Sequence, residues 1–305
     1  MTPSINPNSE IFLSNLQQIQ NRIGTAERQL SSGLRVSVAS DAPDQISSIL
    51  QLRAQIAGVQ QTQQNLSNVT PQVESGENAI QQAIQVLDTA TSLATQAAGS
   101  TSSASQRLDL VPQVQGILQQ LVSLSQTSVN GQYIFSGDLS GQPQYTMAAN
   151  GDSVLQMTQP GPPGQIEDAN GLKISVGLTA QQIFDDQDAT GKPTAANVFG
   201  AVTGLLTALQ NNDGPGILTA VTNIQTASAH LNDESSFYGA AQNNLTAAGN
   251  SASQTLIEVQ QQLSNEQDAD AAQASLDLTT ANTDLQAAMA SQAMLKPQSL
   301  FSYLG

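Results

Sequence analysis

The most regular stretch of this chain is residues 46–98, which read ISSILQLRAQIAGVQQTQQNLSNVTPQVESGENAIQQAIQVLDTATSLATQAA. An apolar residue recurs at every seventh position through Leu52, Val59, Leu66, Val73, Ile80, Leu87 and Ala94. This spacing keeps one apolar stripe on the same side of a helix, so the helix is expected to lie lengthwise against other helices. The pattern favours a rod, and a rod favours a structural protein over an enzyme.

A second row of the same helix is mostly polar. Its members are Ile49, Ile56, Gln63, Thr70, Glu77, Ile84 and Thr91. Because polar side chains interrupt this row, the middle of the helix is expected to pack less tightly or to face polar partners.

The composition supports helix packing over a thick globular core. Of 305 residues only 10% are charged and 3% aromatic, and Trp and Cys are absent. Burial must therefore come from small and aliphatic side chains spread over a long surface. The net charge of −16 argues against nucleic acid or an anionic membrane as a partner. The absence of Cys excludes disulfides, thiol catalysis and Cys-ligated metals.

The remaining chain divides into helices around a β-like insert. Helical spacing runs from Phe12 to Leu30 and ends near Gly33, and a third helix is predicted over roughly 106–128. Helical spacing returns at Val198, and a last long segment is predicted from about Leu245 to Lys296. Neither a transmembrane span nor a signal peptide is expected. The candidate strands are Tyr133–Phe135, Tyr145–Met147, Val154–Met157 and Leu172–Val176.

We therefore predict a mainly α fold, an elongated helical rod with paired N- and C-terminal coiled-coil helices and a small inserted β domain. Three parts are expected. Residues 1–42 and 265–305 would form a terminal coiled coil, 43–131 and 195–264 a helical rod, and 132–194 the small β domain.

Residue constellations typical of catalysis are missing from the sequence. The lone His230 is predicted to be a surface residue. Asp185, Asp186 and Asp188 could suggest Ca²⁺, but they lack the loop glycine and closing Glu of such a site, so a solvated acidic turn is predicted. No catalytic residue, cofactor or metal site is expected, and we predict that the protein is not an enzyme.

One charge pattern predicts contacts between the two ends. Arg28 and Arg35 are seven residues apart, as are Asp277 and Asp284. If the terminal segments pair antiparallel, these residues could form two ion pairs. The alternative is four independently solvated charges, since exposed pairs contribute only about 0–1 kcal/mol.

Both ends of the chain resemble the bacterial flagellin family. The stretch RQLSSGLRV at 28–36, followed by SDAPD at 40–44, is similar to the family's N-terminal region after its first helix. The closing LFSYLG at 300–305 is similar to its C-terminal end. Within the family, NGQYIFSG at 130–137 and YGAAQNNL at 238–245 resemble the branch of hook–filament junction proteins. Pro43 to Gln45 depart from the usual small residues and glycine.

This resemblance implies an extracellular structural component of the flagellum. Paired terminal helices would build an axial core after unfolded export through the flagellar type III channel. The implied partners are further copies of the chain in a ring, another hook-associated protein, flagellin and an export chaperone. The predicted assembly residues, which would bury apolar surface against neighbouring subunits, are Phe12, Leu16, Ile19, Ile23, Leu30, Leu278, Leu285, Leu295, Leu300 and Phe301.

Three alternatives stay open at this point. The apolar residues of the ends could form an ordinary core within one chain. The protein could be flagellin itself, repeated along the filament rather than present in one ring. It could also be an intracellular coiled-coil scaffold, a class to which a partly polar heptad row is equally suited.

Overall fold

A computed structural model describes residues 7–99, 102–159 and 161–294 of the chain. Helices dominate these residues: α1 (Pro7–Ser32), α2 (Ile46–Ala98), α3 (Ala104–Ser125), α4 (Ala180–Phe184), α5 (Val198–Gln210), α6 (Gly214–Gln267) and α7 (Ala271–Met294). The strands, all between α3 and α4, are β1 (Ser128–Val129), β2 (Gln132–Tyr133), β3 (Tyr145–Met147), β4 (Val154–Gln156), β5 (Gln165–Glu167) and β6 (Lys173–Ser175). The predicted mainly α fold with a small β insert is confirmed.

The described chain forms two compact units. One comprises the residues up to Ala57 together with those from Leu256 onward, and the other comprises Gly58–Thr255. The division into three parts drawn from the sequence is not tested by these units and stays a prediction.

The heptad stripe of α2 is buried along its whole length. Leu52 and Val59 are each 8% exposed, and every member from Val73 to Ala94 is fully buried. In the Gly58–Thr255 unit, the stripe joins one apolar core with residues of α3, α5 and α6 such as Leu121 and Leu205. The stripe was therefore correctly predicted to pack against other helices.

The polar second row of α2 faces polar partners on α6, as expected. Gln63 Nε2 donates to Ser253 Oγ at 3.1 Å, and the carboxylate of Glu77 accepts from Gln242 Nε2. A buried or half-buried polar group needs such a partner to offset its lost hydration.

The β insert consists of three separate antiparallel hairpins, β1–β2, β3–β4 and β5–β6. Positive φ angles at Asn130 and Gly131 close the first turn. Strand β3 has the predicted bounds. Strand β4 is one residue shorter than predicted, and β6 is two residues shorter. Helix α3 was predicted too long, because Ser128 pairs with Tyr133 in the first hairpin. Strands β1 and β5 were missed, and of the predicted strand Tyr133–Phe135 only Tyr133 lies in a strand, β2.

The predicted helix over 245–296 is wrong, because the chain interrupts it at 268–270. The backbone N–H groups of Arg35 and Val36 donate to the carbonyl of Gln267, and Ala269 N–H donates to Gly33. These tertiary bonds replace the helical ones. The Asp270 carboxylate then accepts the N–H groups at the start of α7.

Candidate assembly surface

Helices α1 and α7 pack against each other within the terminal unit. Leu34 pairs with Asp268 near one end, and Arg22 reaches Asp284 farther along, so the two helices run antiparallel. The side chains that are fully buried on this pair are the small ones of Ala26, Ala274 and Ala281. Alanines let the two backbones approach closely but bury little apolar area.

The larger apolar side chains of the pair are only half-buried. Leu30 is 39% exposed. The described members of the predicted assembly set that are half-buried are Phe12, Leu16, Ile19, Ile23, Leu278 and Leu285. Leu295, Leu300 and Phe301 lie outside the described residues. The α1–α7 contact therefore covers only part of the predicted assembly surface.

Further apolar side chains project from the outer faces of these helices and were missed from the sequence. They are Ile11 and Leu13 on α1, and Leu276, Met289 and Met294 on α7, each more than half exposed. These residues lie off the stepwise stripe, so the periodicity did not single them out. Only their exposure in the structure identifies them as candidate assembly residues.

The ion pairs predicted between the ends need correction. Asp284 pairs with Arg22 at 2.9 Å, with both side chains about half exposed, rather than with Arg28 or Arg35. Arg28 donates to Thr25, and Asp277 accepts from Gln273 on its own helix. Arg35 cannot join the helix pair, because α1 ends at Ser32 and its guanidinium donates to Gln45 and to the carbonyl of Glu266.

The segment between α1 and α2 is a closed turn fixed by Asp41. Its carboxylate accepts the N–H groups of Ser37 and Val38 at 3.0 and 2.9 Å, and these hydrogen bonds, that of Val38 above all, lower the pKa of Asp41 below its ordinary range. Val36, Ala42 and Ile49 form a small core beneath this turn. The motif at 28–44 thus has a structural role, because it fixes the connection between α1 and α2.

The motif at 130–137 closes the β insert onto the helices. Phe135 is fully buried and packs edge-on against Phe184 and Tyr238, at centroid distances of 5.9 and 6.4 Å. Its carbonyl accepts the N–H of Ala180 at 2.7 Å. Gly137 has φ +59°, and a Cβ there would stand 2.7 Å from the Pro162 carbonyl oxygen, so only glycine fits.

The predicted surface residue His230 is largely covered, because its side chain is only 17% exposed. Its Nε2 lies 2.9 Å from the Gln182 carbonyl oxygen, and its Nδ1 lies 3.8 Å from Glu234.

The Asp185 carboxylate accepts hydrogen bonds from Tyr145, Gln187 and Asn197. These side chains connect the insert to its helices and converge on no reactive group.

Across residues 7–99, 102–159 and 161–294, no cluster of three His, Cys, Asp or Glu side chains has the geometry to hold a metal ion. In the same part of the chain, no helix combines the length and apolar character that a membrane crossing needs.

Known protein families match both ends of the chain. The bacterial flagellin N-terminal helical region matches residues 4–139, and the bacterial flagellin C-terminal helical region matches residues 221–304. Flagellin B of Helicobacter pylori is 30% identical over 145 residues, which are 47% of this chain and 28% of that protein. The chain thus aligns with less than a third of that relative's length.

Solved structures with a similar fold cover more of the chain. A provisionally assigned flagellar hook-associated protein from Vibrio parahaemolyticus superposes with a TM-score of 0.63 at 17% identity, over 75% of this chain and 100% of that one. Flagellar hook-associated protein 3 from Legionella pneumophila gives 0.59 at 14% identity, over 71% and 98%. At these identities the likeness establishes a shared fold.

Proposed function

Because this chain belongs to the bacterial flagellin family, we propose that it is the structural subunit of the ring that joins the hook side of the flagellum to the filament. The observation that carries the proposal is the incomplete burial of the α1–α7 pair. Alanines fill its closed seam, while the larger apolar side chains stay half-buried. Such a surface gains apolar burial only when neighbouring subunits supply it.

The mechanism is packing rather than chemistry. Residues 1–42 and 265–305 build the axial core of the ring, 43–131 and 195–264 form the rod, and 132–194 face outward. Phe12, Leu16 and Leu278 lose their remaining exposure when adjacent copies assemble. The hydrophobic effect then supplies about 25 cal/mol for each Å² of apolar surface removed from water.

The partners follow from the position of the ring. The chain contacts further copies of itself, another hook-associated protein on one side and flagellin on the other. It reaches the outside of the cell by type III export, escorted by a chaperone, and functions there without catalytic activity.

Flagellin is the second candidate, because the sequence relative named above is a flagellin. The short insert favours the junction protein. Only residues 140–220 lie between the two matched flagellin regions, and the solved structures named above that share this fold are hook-associated proteins.

Deletion of the gene separates the two candidates. For a junction protein, the deletion strain keeps its hooks and releases unattached filament subunits into the medium, and the restored gene returns the filaments. Loss of the filament subunit itself, with this chain as the bulk protein of sheared filaments, would instead identify a flagellin. If the deletion strain still carries normal, attached filaments, both candidates are refuted.

A further inference from the structure

A charge-free belt lies on the two long helices of the Gly58–Thr255 unit. We define it as residues 58–73 of α2 and 243–255 of α6. The chain contains 24 acidic and 8 basic residues, yet none lies between Arg53 and Glu74 or between Glu234 and Glu258. The hydrogen bond from Gln63 to Ser253 holds the two stretches side by side. The belt is about 20 Å long at 1.5 Å per helical residue.

Neutral amides and hydroxyls make up most of the belt's exposed surface. Examples are Gln60, Gln64, Asn68, Asn243, Asn250 and Gln254. Some of these side chains pair along the helix, as Gln64 does with Asn68 at 3.3 Å. An amide both donates and accepts hydrogen bonds, whereas a carboxylate only accepts. Two identical amide surfaces therefore complement each other, and two identical acidic surfaces do not.

Three residues in the belt disfavour a helix, and no contact among residues 7–99, 102–159 and 161–294 requires the two that are glycines. A Cβ on Gly58 or on Gly249 would meet no heavy atom within 4 Å. Pro71 lies inside α2 and has no N–H to donate to the Ser67 carbonyl. Glycine in the middle of a helix destabilises it relative to alanine. The cost of the two glycines is explained if another backbone approaches the belt closely.

We propose that the charge-free belt is the surface through which one copy of this chain lies against a second copy. The proposal rests on the ring described above and names the contact between its rods. Copies that each carry a net charge of −16 repel one another, so contact is least costly where no carboxylate loses its hydration. Gly58 and Gly249 let the two rods approach, and the amides join them.

Charged residues of the same chain border one flank of the belt. The β5–β6 hairpin, with Asp168 and Lys173, borders a groove that also includes Asn244 and Ser251. The second copy therefore occupies the open flank, which includes Gln60 and Gln64 on α2.

A photo-crosslinking experiment in assembled flagella tests the contact. A benzophenone amino acid replaces Gln64 in the full chain, which is returned to the deletion strain, and a matched variant carries it at Gln82, exposed on the same helix outside the belt. Irradiation is expected to give a product made of two copies from position 64 and not from position 82. A product with another protein, equal products from both positions, or no product from normally assembled flagella would overturn the proposal.

The glycines supply a second test with its own control. Gly249→Ala is expected to melt at a higher temperature than the wild type but to lower the ratio of assembled to secreted chain at least tenfold. Gly204→Ala, an equally unobstructed position on α5, should raise the melting temperature without changing that ratio. Equal ratios in both variants would contradict the belt. If the wild-type gene fails to restore filaments to the deletion strain, the ring itself is wrong, and this outcome is distinct from the others.

Discussion

The ring of Tyr238 lies directly on the backbone of Gly76, where a Cβ atom would stand 2.5 Å from Tyr238 Cε1. The tyrosine hydroxyl accepts the N–H of Leu178 at 3.2 Å, and its ring meets that of Phe135 edge-on. One side chain on α6 therefore holds both α2 and the β insert. The insert is fixed to the helices through this residue and through the motif at 130–137.

Gly76→Ala should destabilise the protein by about 1–3 kcal/mol, because the added methyl group overlaps a buried ring that cannot move away. Urea denaturation of the full chain measures the change in the free energy of unfolding. Gly239→Ala is the control, since its methyl group enters open space and should leave the protein as stable or slightly more stable. Equal stability of the two variants would contradict the close approach of Tyr238 to Gly76.

Asp41→Asn should weaken the protein near neutral pH but not in acid. The hydrogen bonds from Val38 and Ser37 lower the pKa of Asp41 from its ordinary value of 3.8. The folded state thus binds the proton more weakly than the unfolded state does. The carboxylate adds stability above pH 3.8 that is lost as the pH falls through the lowered pKa. Unfolding curves of both proteins between pH 2 and 6 should converge in acid, and a constant difference would refute this role.

The Arg22–Asp284 ion pair should contribute only weakly to the pairing of α1 and α7. A double-mutant cycle with alanine at both positions is expected to give a coupling of about 0–1 kcal/mol, because both side chains are about half exposed. The same cycle on Arg35 and Asp277 should give no coupling, since these residues have other partners. A larger coupling for the second pair than for the first would contradict the structure.

Leu16→Gln should impair assembly more than folding. The Leu16 side chain is half-buried, so its loss is expected to cost the isolated chain about 1 kcal/mol. In the proposed ring, the polar amide would be buried against a neighbouring copy. It should therefore prevent incorporation into flagella, which is measured as the ratio of assembled to secreted chain. Gln18→Ala on the exposed side of α1 serves as the control and should assemble normally. Normal assembly of Leu16→Gln would exclude this residue from the interface.

The sequence predicted well those features that depend on local periodicity. Seven-residue spacing places the Leu52–Ala94 stripe on one face of a helix regardless of what surrounds it, and the whole stripe is buried. The bounds of α2 followed from the same pattern.

The missed features depend on contacts between distant segments. The interruption at 268–270 arises from backbone bonds to residues 33–36, more than 230 positions away along the chain. The choice of Arg22 as the partner of Asp284 depends on the register of α1 against α7, which heptad spacing alone does not set. Strand β5 has one apolar residue, Ile166, and gains its strand conformation from pairing with β6.

Cryo-electron microscopy of the hook–filament boundary is the sharpest test of the proposed ring. We expect one ring of this chain between hook and filament, with α1 and α7 innermost and Phe12, Leu16 and Leu278 covered by neighbouring copies. Density for this chain repeated along the whole filament, or a boundary from which it is absent, would show that the chain does not form this ring.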